Sequence, residues 1–338
     1  MQQLQGAAVR NDDLAVMPKI KIPEGMYRRM AECKQKPLIV DQKPRNLFVP
    51  GLRPFLRVMS NHLARSSLFA PINSGGGKNT TGSGGENRKK YHTGSLLVSR
   101  RDAEIKYWGE QLTEAHADVW MQVIYEAIKH PLGEIFEIKG AQFLSAIGRA
   151  NGGNDYDWLK KTLLSLHHAS LVIEVWQGSK SPSEPRQLKL KIGKSEFGEG
   201  DLEAIRLIEK FRYVGATKSF QLSIDTRWHL MYENKEFALI DSQKRMQLKT
   251  NIAKALQRLI ATSNSVEQRY ALESEENGVK GIKEIFQYTG RLRDFSNALK
   301  LAISDLKNAK IISDGYLEIS TKNKLQIVLK KLISRGQQ

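Results

Sequence analysis

Residues 154–191 constrain the fold of this chain more than any other stretch. They open with the letters NDYDWLKKTLLSLHHA, in which Leu159, Leu163 and Leu166 recur at the spacing of one helical face. Two alternating segments follow, SLVIEVW and QLKLKI, and ten turn-prone residues at 177–186 separate them. The pattern predicts a helix that leads into a two-stranded ribbon with a long loop.

A helix followed by such a ribbon is typical of a winged helix, in which the helix enters a DNA major groove and the loop lies on the flanking backbone. Opposite the leucines, the helix presents groove-competent side chains: Asn154, Asp157, Lys160, Lys161 and His168. In the loop, Lys180 and Arg186 flank two prolines and are expected to contact phosphate. A polar outer face on an ordinary surface helix, and a solvated hairpin tip, would show the same pattern.

The composition favours a globular chain with a polyanionic partner. The 338 residues carry a net charge of +17, and 40% of them are hydrophobic, which is enough for two packed domains and a tail. Basic side chains displace counterions from phosphates, so a charge of this sign favours nucleic acid. A basic tail that binds a membrane, or that binds no ligand, would also account for the positive net charge.

The compartment follows from what the sequence lacks. No apolar run is long enough to span a membrane, and the N-terminus has no apolar signal core. One cysteine, Cys33, is too few for a disulfide framework or a Cys-rich zinc site. We therefore expect a cytoplasmic protein without a metal or other cofactor.

Residues 1–90 are expected to form a largely disordered basic tail and linker. Residues 1–103 hold 18 of the 53 Lys and Arg, but only 7 of the 36 Asp and Glu. The letters SGGGKNTTGSGGENRKK at 74–90 have the composition of a flexible linker. The GGGK within them is not a phosphate-binding P-loop, because Ile72 and Asn79 occupy positions that require Gly and Ser or Thr.

Two folded units are expected after the tail, at residues 91–235 and 236–335. The fold class is α+β, with two tandem winged-helix DNA-binding domains. In the first unit, apolar periodicity predicts helices before the one at residue 154 and strands on both sides of it. The predicted helices are 118–129 and 139–147, and the predicted strands are 96–98, 105–108, 134–138, 211–214 and 220–224.

The second unit repeats the layout of the first. Its predicted elements are a helix at 247–261, a short helix at 282–288, a long helix at 291–308, and strands at 311–313 and 316–319. Asp314-Gly315 between the two strands is a strong signal for a tight hairpin. Helix, short helix, helix and hairpin therefore occur twice, as an architectural repeat without residue-level identity.

The long helix of the second unit also has a polar face. Phe295, Leu299, Ala302 and Leu306 are expected to be buried, and the opposite face presents Arg293, Asn297, Lys300 and Ser304. Arg can bind guanine and Asn can bind adenine, each through two hydrogen bonds. Two such helices, each followed by a hairpin, favour DNA binding more strongly than one helix does.

Several local strings resemble the TrfA-type plasmid replication initiators. NHLARSSLF at 61–69 resembles their N-x-x-A-R-S-x-L-F signature, and YWGEQL at 107–112 resembles Y-x-G-x-x-L. DVWMQV at 118–123 is similar to D-x-x-V-W-x-Q-V-L with a small shift in spacing, and PLGE at 131–134 to P-[IL]-G-E. The resemblance covers about residues 44–335 and is strongest from 61 to 170. The long glycine linker and the short N-terminus depart from the family.

The resemblance implies a cytoplasmic initiator with two winged-helix domains and no catalytic residues. Such proteins bind repeated origin sites (iterons), help to open an adjacent AT-rich duplex, and recruit host replication proteins. The implied partners are double-stranded DNA, the sliding clamp, the replicative helicase and the host initiator. The implied assembly is a monomer–dimer equilibrium in which the monomer binds DNA.

A short peptide in the tail resembles the clamp-binding motif of the same family. That family carries a Q-L-S-L-F peptide at nearly the offset at which PRNLF occurs here, residues 44–48. Leu47 and Phe48 match its hydrophobic end, whereas Pro44 and Arg45 replace its glutamine and first leucine. Local packing of Leu47 and Phe48 is the alternative, because small apolar clusters in tails often pack locally.

DNA nicking and transcriptional repression are the two alternative functions. A DNA-nicking initiator needs a His-hydrophobe-His metal site, but His167 and His168 are adjacent and would point about 100° apart on a helix. We therefore do not expect an enzyme. A transcriptional repressor of its own operon would use the same helices, so the sequence leaves that alternative open.

Overall fold

The computed structural model describes residues 52–71, 90–100, 102–177, 187–195, 202–233, 236–275 and 279–332. They form a mixed α/β structure. The helices are α1 (Asn61–Ala64), α2 (Glu114–Ala127), α3 (Gly140–Ala146), α4 (Gly153–His168), α5 (Leu230–Glu233), α6 (Ser242–Met246), α7 (Asn251–Ala261), α8 (Ile282–Ile285) and α9 (Leu292–Asn308), and a 3-10 turn spans Thr226–His229. Within these residues, no helix combines the length and the apolar content needed to cross a membrane.

The strands are short and mostly antiparallel. In chain order they are β1 (Leu56–Ser60), β2 (Phe69–Ala70), β3 (Tyr91–Leu96), β4 (Ala103–Glu110), β5 (Leu112–Thr113), β6 (Phe136–Lys139), β7 (Ser170–Gln177), β8 (Gln187–Ile192), β9 (Lys194–Ser195), β10 (Leu202–Glu203), β11 (Ile205–Arg206), β12 (Lys210–Val214), β13 (Ser219–Ser223), β14 (Phe237–Asp241), β15 (Glu267–Ala271), β16 (Ile312–Ile319) and β17 (Leu325–Lys331).

The buried apolar residues form two cores. The first core runs from Val58 to Ile240, and Trp120 and Trp228 pack in it with ring centroids 5.3 Å apart. The second core runs from Leu248 to Leu329, and Phe295 lies between the rings of Phe286 and Tyr288. Each core is large enough to hold its own set of helices and strands together.

The same element order occurs once around each core. The first copy is α2, β6, α3, α4, β12, β13, with β7–β11 inserted between α4 and β12, and the second is α7, β15, α8, α9, β16, β17. In each copy the last strand lies in the middle of an antiparallel sheet, in the orders β12-β13-β6 and β16-β17-β15. The predicted architectural repeat is therefore confirmed, although a different hairpin completes the first copy.

The predicted ribbon is present but belongs to another sheet. β7 and β8 pair from Ile173 with Ile192 to Gln177 with Gln187. However, β7 also pairs with β4 and β11 in a five-stranded sheet with β3 at one edge. Val172, which lies on the opposite side of the strand from Ile173, is also buried, as expected for a central strand. Alternation along one strand does not identify its neighbours, so the sequence did not predict that this ribbon lies in a larger sheet.

The predicted tail is also shorter than 90 residues. Residues 52–71 form β1, α1 and β2, and β1 pairs with β14 along its whole length. Val58, Met59, Leu63, Leu68 and Phe69 are fully buried. The segment shows no sustained period because it consists of three elements of 5, 4 and 2 residues. The linker at 74–89 and the chain before residue 52 lie outside the described residues.

The tight hairpin predicted at Asp314-Gly315 is wrong. Both residues lie inside β16, next to a β-bulge, and the chain reverses after Ser320 with Asn323 at a φ of 55°. A Cβ on Gly315 would lie 3.0 Å from Leu329 and 3.2 Å from both Ile303 and Ile312. The glycine is therefore needed for close packing against α9 and β17 rather than for a turn.

Candidate nucleic-acid interface

Helix α4 presents the side chains that the sequence singles out. Its buried side consists of Leu159, Thr162, Leu163 and Leu166. The five predicted contact residues are all exposed: Asn154, Asp157, Lys160, Lys161 and His168. Within the described residues, Asn154, Asp157 and Lys161 make no side-chain hydrogen bond or ion pair. Their polar groups are thus open to a ligand.

The first turns of α4 are held from one flank. Arg149 forms an ion pair with Asp155, at 2.9 Å, and its guanidinium lies 3.6 Å from the centre of the Trp158 ring. These contacts occupy Asp155 and Trp158, which lie beside the exposed face rather than on it. They fix the start of the helix, the part that contacts bases in helix-turn-helix proteins.

Helix α9 presents an equivalent face. Phe295, Leu299, Ala302, Ile303 and Leu306 are buried against the second core. The predicted contact residues Arg293, Asn297, Lys300 and Ser304 are all exposed, and none has a side-chain partner within the part of the chain that the structure describes. An exposed Arg and an exposed Asn one turn apart can each approach a base edge.

The two faces correspond at some of their positions. When α4 and α9 are aligned at their last residues, His168 and Asn308, the buried Leu159 and Leu166 fall on Leu299 and Leu306. On the exposed side, Lys160 falls on Lys300 and Asp157 on Asn297. The correspondence is partial, because Lys161, Arg293 and Ser304 fall on Leu301, Gly153 and Leu164.

The β12–β13 hairpin flanks α4 and was not predicted to belong to the site. Lys160 Nζ lies 5.0 Å from the centre of the Tyr213 ring on β12. Lys218, in the turn between β12 and β13, has its Nζ 5.4 Å from the centre of the Tyr156 ring in the first turn of α4. Lys210, Arg212 and Lys218 are exposed and have no anionic partner among the described residues. Both strands were predicted from sequence, and their basic residues could have identified the hairpin as part of the site.

The described lysines of the β7–β8 ribbon are paired with carboxylates. Lys189 Nζ is 2.9 Å from Glu236, and Lys191 Nζ is 3.0 Å from Glu174. These ion pairs neutralise the two described lysines of β8. Lys180 and Arg186, the predicted loop contacts, lie outside the described residues, as do Leu47 and Phe48.

The basic stretch from Lys244 to Arg258 faces inward rather than toward a ligand. Arg245 and Arg258 are buried against Glu114, and Lys254 pairs with Asp118 at 2.7 Å. Lys244 Nζ donates a hydrogen bond to the Lys310 carbonyl. Burial alone would raise the pKa of Asp118, but Arg245 and Lys254 outweigh it and hold that pKa below its ordinary value. Four of these five basic residues thus bind other parts of the chain.

The histidines of α4 do not converge on a common point. The His167 and His168 rings have centroids 5.6 Å apart, and His167 Nδ1 lies 3.0 Å from the Ile208 carbonyl. Burial lowers the pKa of His167. Within the described ranges, no group of three His, Cys, Asp or Glu side chains could hold a metal ion.

Comparison with known proteins gives remote structural likenesses only. No protein-family model and no curated protein matches the chain. A crystal structure of domains 2 and 3 of RctB is 12% identical, covering 74% of this chain and 94% of its own, with a TM-score of 0.45. A second structure of those domains is 13% identical, covering 73% and 94%, with a TM-score of 0.43. The Pi initiator protein in complex with iteron DNA is 16% identical, covering 70% and 100%, with a TM-score of 0.43. Because these scores are low, function must be argued from the residues of this chain.

Proposed function

We propose that this chain is a plasmid replication initiator that binds repeated origin sites through two winged-helix domains. The observation that carries the proposal is the duplicated unit, in which α4 and α9 each expose a polar face and each precede a pair of antiparallel strands, β12–β13 and β16–β17, that lie in a three-stranded sheet. One polar helix face is common on protein surfaces, but two at equivalent positions of a repeat favour a repeated ligand such as duplex DNA.

In this proposal α4 and α9 enter successive major grooves on one face of the duplex. Arg293 and Asn297 bind a guanine and an adenine, Lys161 binds a base edge in the other half of the site, and Lys300 and Ser304 lie beside the bases on α9. Asn154, Asp157, Lys160 and His168 complete the α4 contact surface. Two segments centred about 10 base pairs apart are then contacted.

The hairpins supply backbone contacts in the same proposal. Lys218 is the strongest candidate beside α4, because it lies at the turn next to Tyr156 and has no anionic partner within the described residues. Lys180 and Arg186 stay proposed phosphate contacts of the longer loop. Phosphate contacts set affinity and register, whereas base contacts set sequence preference.

Opening of an AT-rich duplex and recruitment of host proteins follow from the resemblance of residues 61–134 to the TrfA-type initiators. The clamp is assigned to the Leu47-Phe48 peptide, and the protein acts in the cytoplasm as a non-enzymatic DNA-binding protein without a cofactor. A monomer–dimer equilibrium is part of the same assignment.

A repressor of its own operon is the second candidate, since it would use the same two helices. Footprinting of the purified chain across the non-coding DNA of the replicon that encodes it separates the two. An initiator protects several regularly spaced repeats beside an AT-rich stretch, and permanganate then detects unpaired thymines there. A single protected operator over a promoter, without unpaired thymines, identifies a repressor instead.

A further inference from the structure

A buried carboxylate connects the two cores. Glu114, in the first turn of α2, is 0% exposed, and its two oxygens bind two arginines from beyond β14. Arg245 Nη2 donates to one oxygen and Arg258 Nη2 to the other, both at 2.7 Å. The arginine side chains are 4% and 1% exposed, so water does not screen these ion pairs.

The same arginine holds the segment that carries the N-x-x-A-R-S-x-L-F string. Arg258 Nη1 donates to the Ala64 carbonyl at 2.6 Å and to the Leu63 carbonyl at 3.3 Å, and Nη2 donates to the Phe69 carbonyl at 2.8 Å. Arg65 Nε donates to Thr262 Oγ1 at 2.5 Å. Residues 61–69 are thus held by hydrogen bonds with α7 and with Thr262, the residue that follows it.

A second ion pair extends the contact along α2. Asp118 lies one turn after Glu114 and binds Arg245 and Lys254, the latter at 2.7 Å. Arg245 also donates to the Lys254 carbonyl at 2.8 Å. We call Glu114, Asp118, Arg245, Lys254 and Arg258 the interdomain clasp.

A buried cluster of ion pairs adds little net stability, but it favours one arrangement of the two cores over others. Removing charges from water is unfavourable, and the ion pairs offset this only when every donor and acceptor is well placed. A small rotation of one core would leave Glu114 or an arginine buried without its partner. An apolar interface of the same area would tolerate that rotation far better.

We propose that Glu114 is a positioning residue whose ion pairs with Arg245 and Arg258 fix the relative orientation of α4 and α9, so that both helices meet one DNA duplex in register. The effect that this role predicts for DNA binding rests on the proposed function. The orientation itself can be measured without DNA.

Double electron–electron resonance on the full chain tests the orientation. Spin labels are placed at Glu137→Cys, on β6, and at Asn308→Cys, at the end of α9, in a Cys33→Ser background. Both positions are exposed, and the measurement uses no DNA, so a label beside the polar face of α9 does not interfere. The unaltered clasp should give one narrow distance distribution, and Glu114→Gln should broaden or shift it. The matched control is Glu126→Gln on the same helix, where Glu126 pairs with Lys129 inside the first domain. An unchanged distribution in Glu114→Gln overturns the proposal.

A second variant covers the case in which Glu114→Gln alone unfolds. Arg258→Met combined with Glu114→Gln removes the buried cation that would be left without a partner. It should raise the thermal unfolding midpoint above that of Glu114→Gln while the distance distribution stays broad. A narrow distribution at the original distance in this double variant overturns the positioning role.

The DNA consequence is tested with two duplexes that carry the footprinted repeat, one with natural spacing and one with five base pairs inserted between its halves. The unaltered chain should prefer natural spacing by about a hundredfold, because the second half binds intramolecularly. Glu114→Gln should reduce this preference to about tenfold, and an undiminished preference contradicts the role. If the unaltered chain binds neither duplex, the proposed function fails, and the resonance measurement still decides the clasp.

Discussion

Lys160 on α4 lies with its Nζ 5.0 Å from the centre of the Tyr213 ring on β12, which joins the exposed helix face to a basic hairpin. A cation over an aromatic ring is attracted by the negative face of the ring. This contact places the exposed face of α4 beside the basic residues of the β12–β13 hairpin. Substitutions can separate side chains that read bases on α4 and α9 from those that contact the DNA backbone.

The exposed face of α9 is expected to read sequence. Arg293→Ala and Asn297→Ala should each weaken binding to the cognate repeat by about 1–3 kcal/mol and relax base preference at one position. Competition titrations against a panel of single-base variants measure both effects. Equal loss on cognate and random DNA would make α9 a backbone clamp instead.

The β12–β13 hairpin is expected to contact phosphate. Lys218→Ala should flatten the plot of log K against log salt concentration by about 0.9, the value for one phosphate contact. Lys189→Ala is the matched control, because Lys189 is paired with Glu236 and should leave the slope unchanged. Removing Lys180 and Arg186 together should flatten the slope by about 1.8 if both loop cations contact phosphate. An unchanged slope in Lys218→Ala would place this hairpin away from DNA.

Acidification should destabilise the first core through His62. Burial, and then Arg100, lower the pKa of His62 although Glu236 lies 3.1 Å away. The folded chain therefore binds this proton more weakly than the unfolded chain does. The stabilisation is complete above the unfolded pKa of about 6.5 and is lost as the pH falls from there through the folded value.

Urea titrations between pH 7 and pH 5 test this sign. His62→Gln should reduce the loss of unfolding free energy on acidification, by at most about 1.4 kcal/mol per pH unit for one proton. Asn154→Gln, an exposed substitution on α4 that changes no titratable group, should leave the slope unchanged. A steeper loss in His62→Gln than in the unaltered chain would mean that the sign is wrong.

Gly315 is expected to be required for packing. Gly315→Ala should destabilise the second core by about 1–3 kcal/mol, because the added methyl meets Leu329, Ile303 and Ile312 within a tight space. Gly153→Ala is the control, since a Cβ at Gly153 has no neighbour within 4 Å. Thermal unfolding of both variants measures the difference, and equal midpoints would contradict the packing role.

The Leu47-Phe48 peptide is expected to bind the host sliding clamp. Each side chain contributes about 1.5–3 kcal/mol on full burial, less the cost of ordering the segment, which supports micromolar affinity at best. Leu47→Ala/Phe48→Ala should abolish capture of the clamp and leave DNA binding intact. Equal capture by both chains, or none by the unaltered chain, rejects this peptide as the clamp site.

The long helices could be predicted from sequence because their apolar residues keep one period for several turns. α4 and α9 begin and end within one residue of the predicted limits, and every side chain predicted for their outer faces is exposed. The sheet partners could not be predicted in this way. Alternation in β7 reports burial but not which strands lie beside it, so the pairing of β7 with β4 and β11 was not predicted.

The interdomain clasp lay beyond sequence reasoning because its partners are distant in the chain. Glu114 and Arg258 are 144 positions apart, and neither shows its partner locally. The one local signal is the stretch from Lys244 to Arg258, which holds five basic residues and no acidic one. Its true anions are Glu114 and Asp118 on α2.

The central claim is that α4 and α9 read two halves of one site, and missing-base interference with two variants tests it most directly. The unaltered chain should show two interference segments centred about 10 base pairs apart. Lys161→Ala should erase signals in one segment only, and Arg293→Ala should erase signals in the other only. Loss of the same segment in both variants, or one segment in the unaltered chain, would contradict the account.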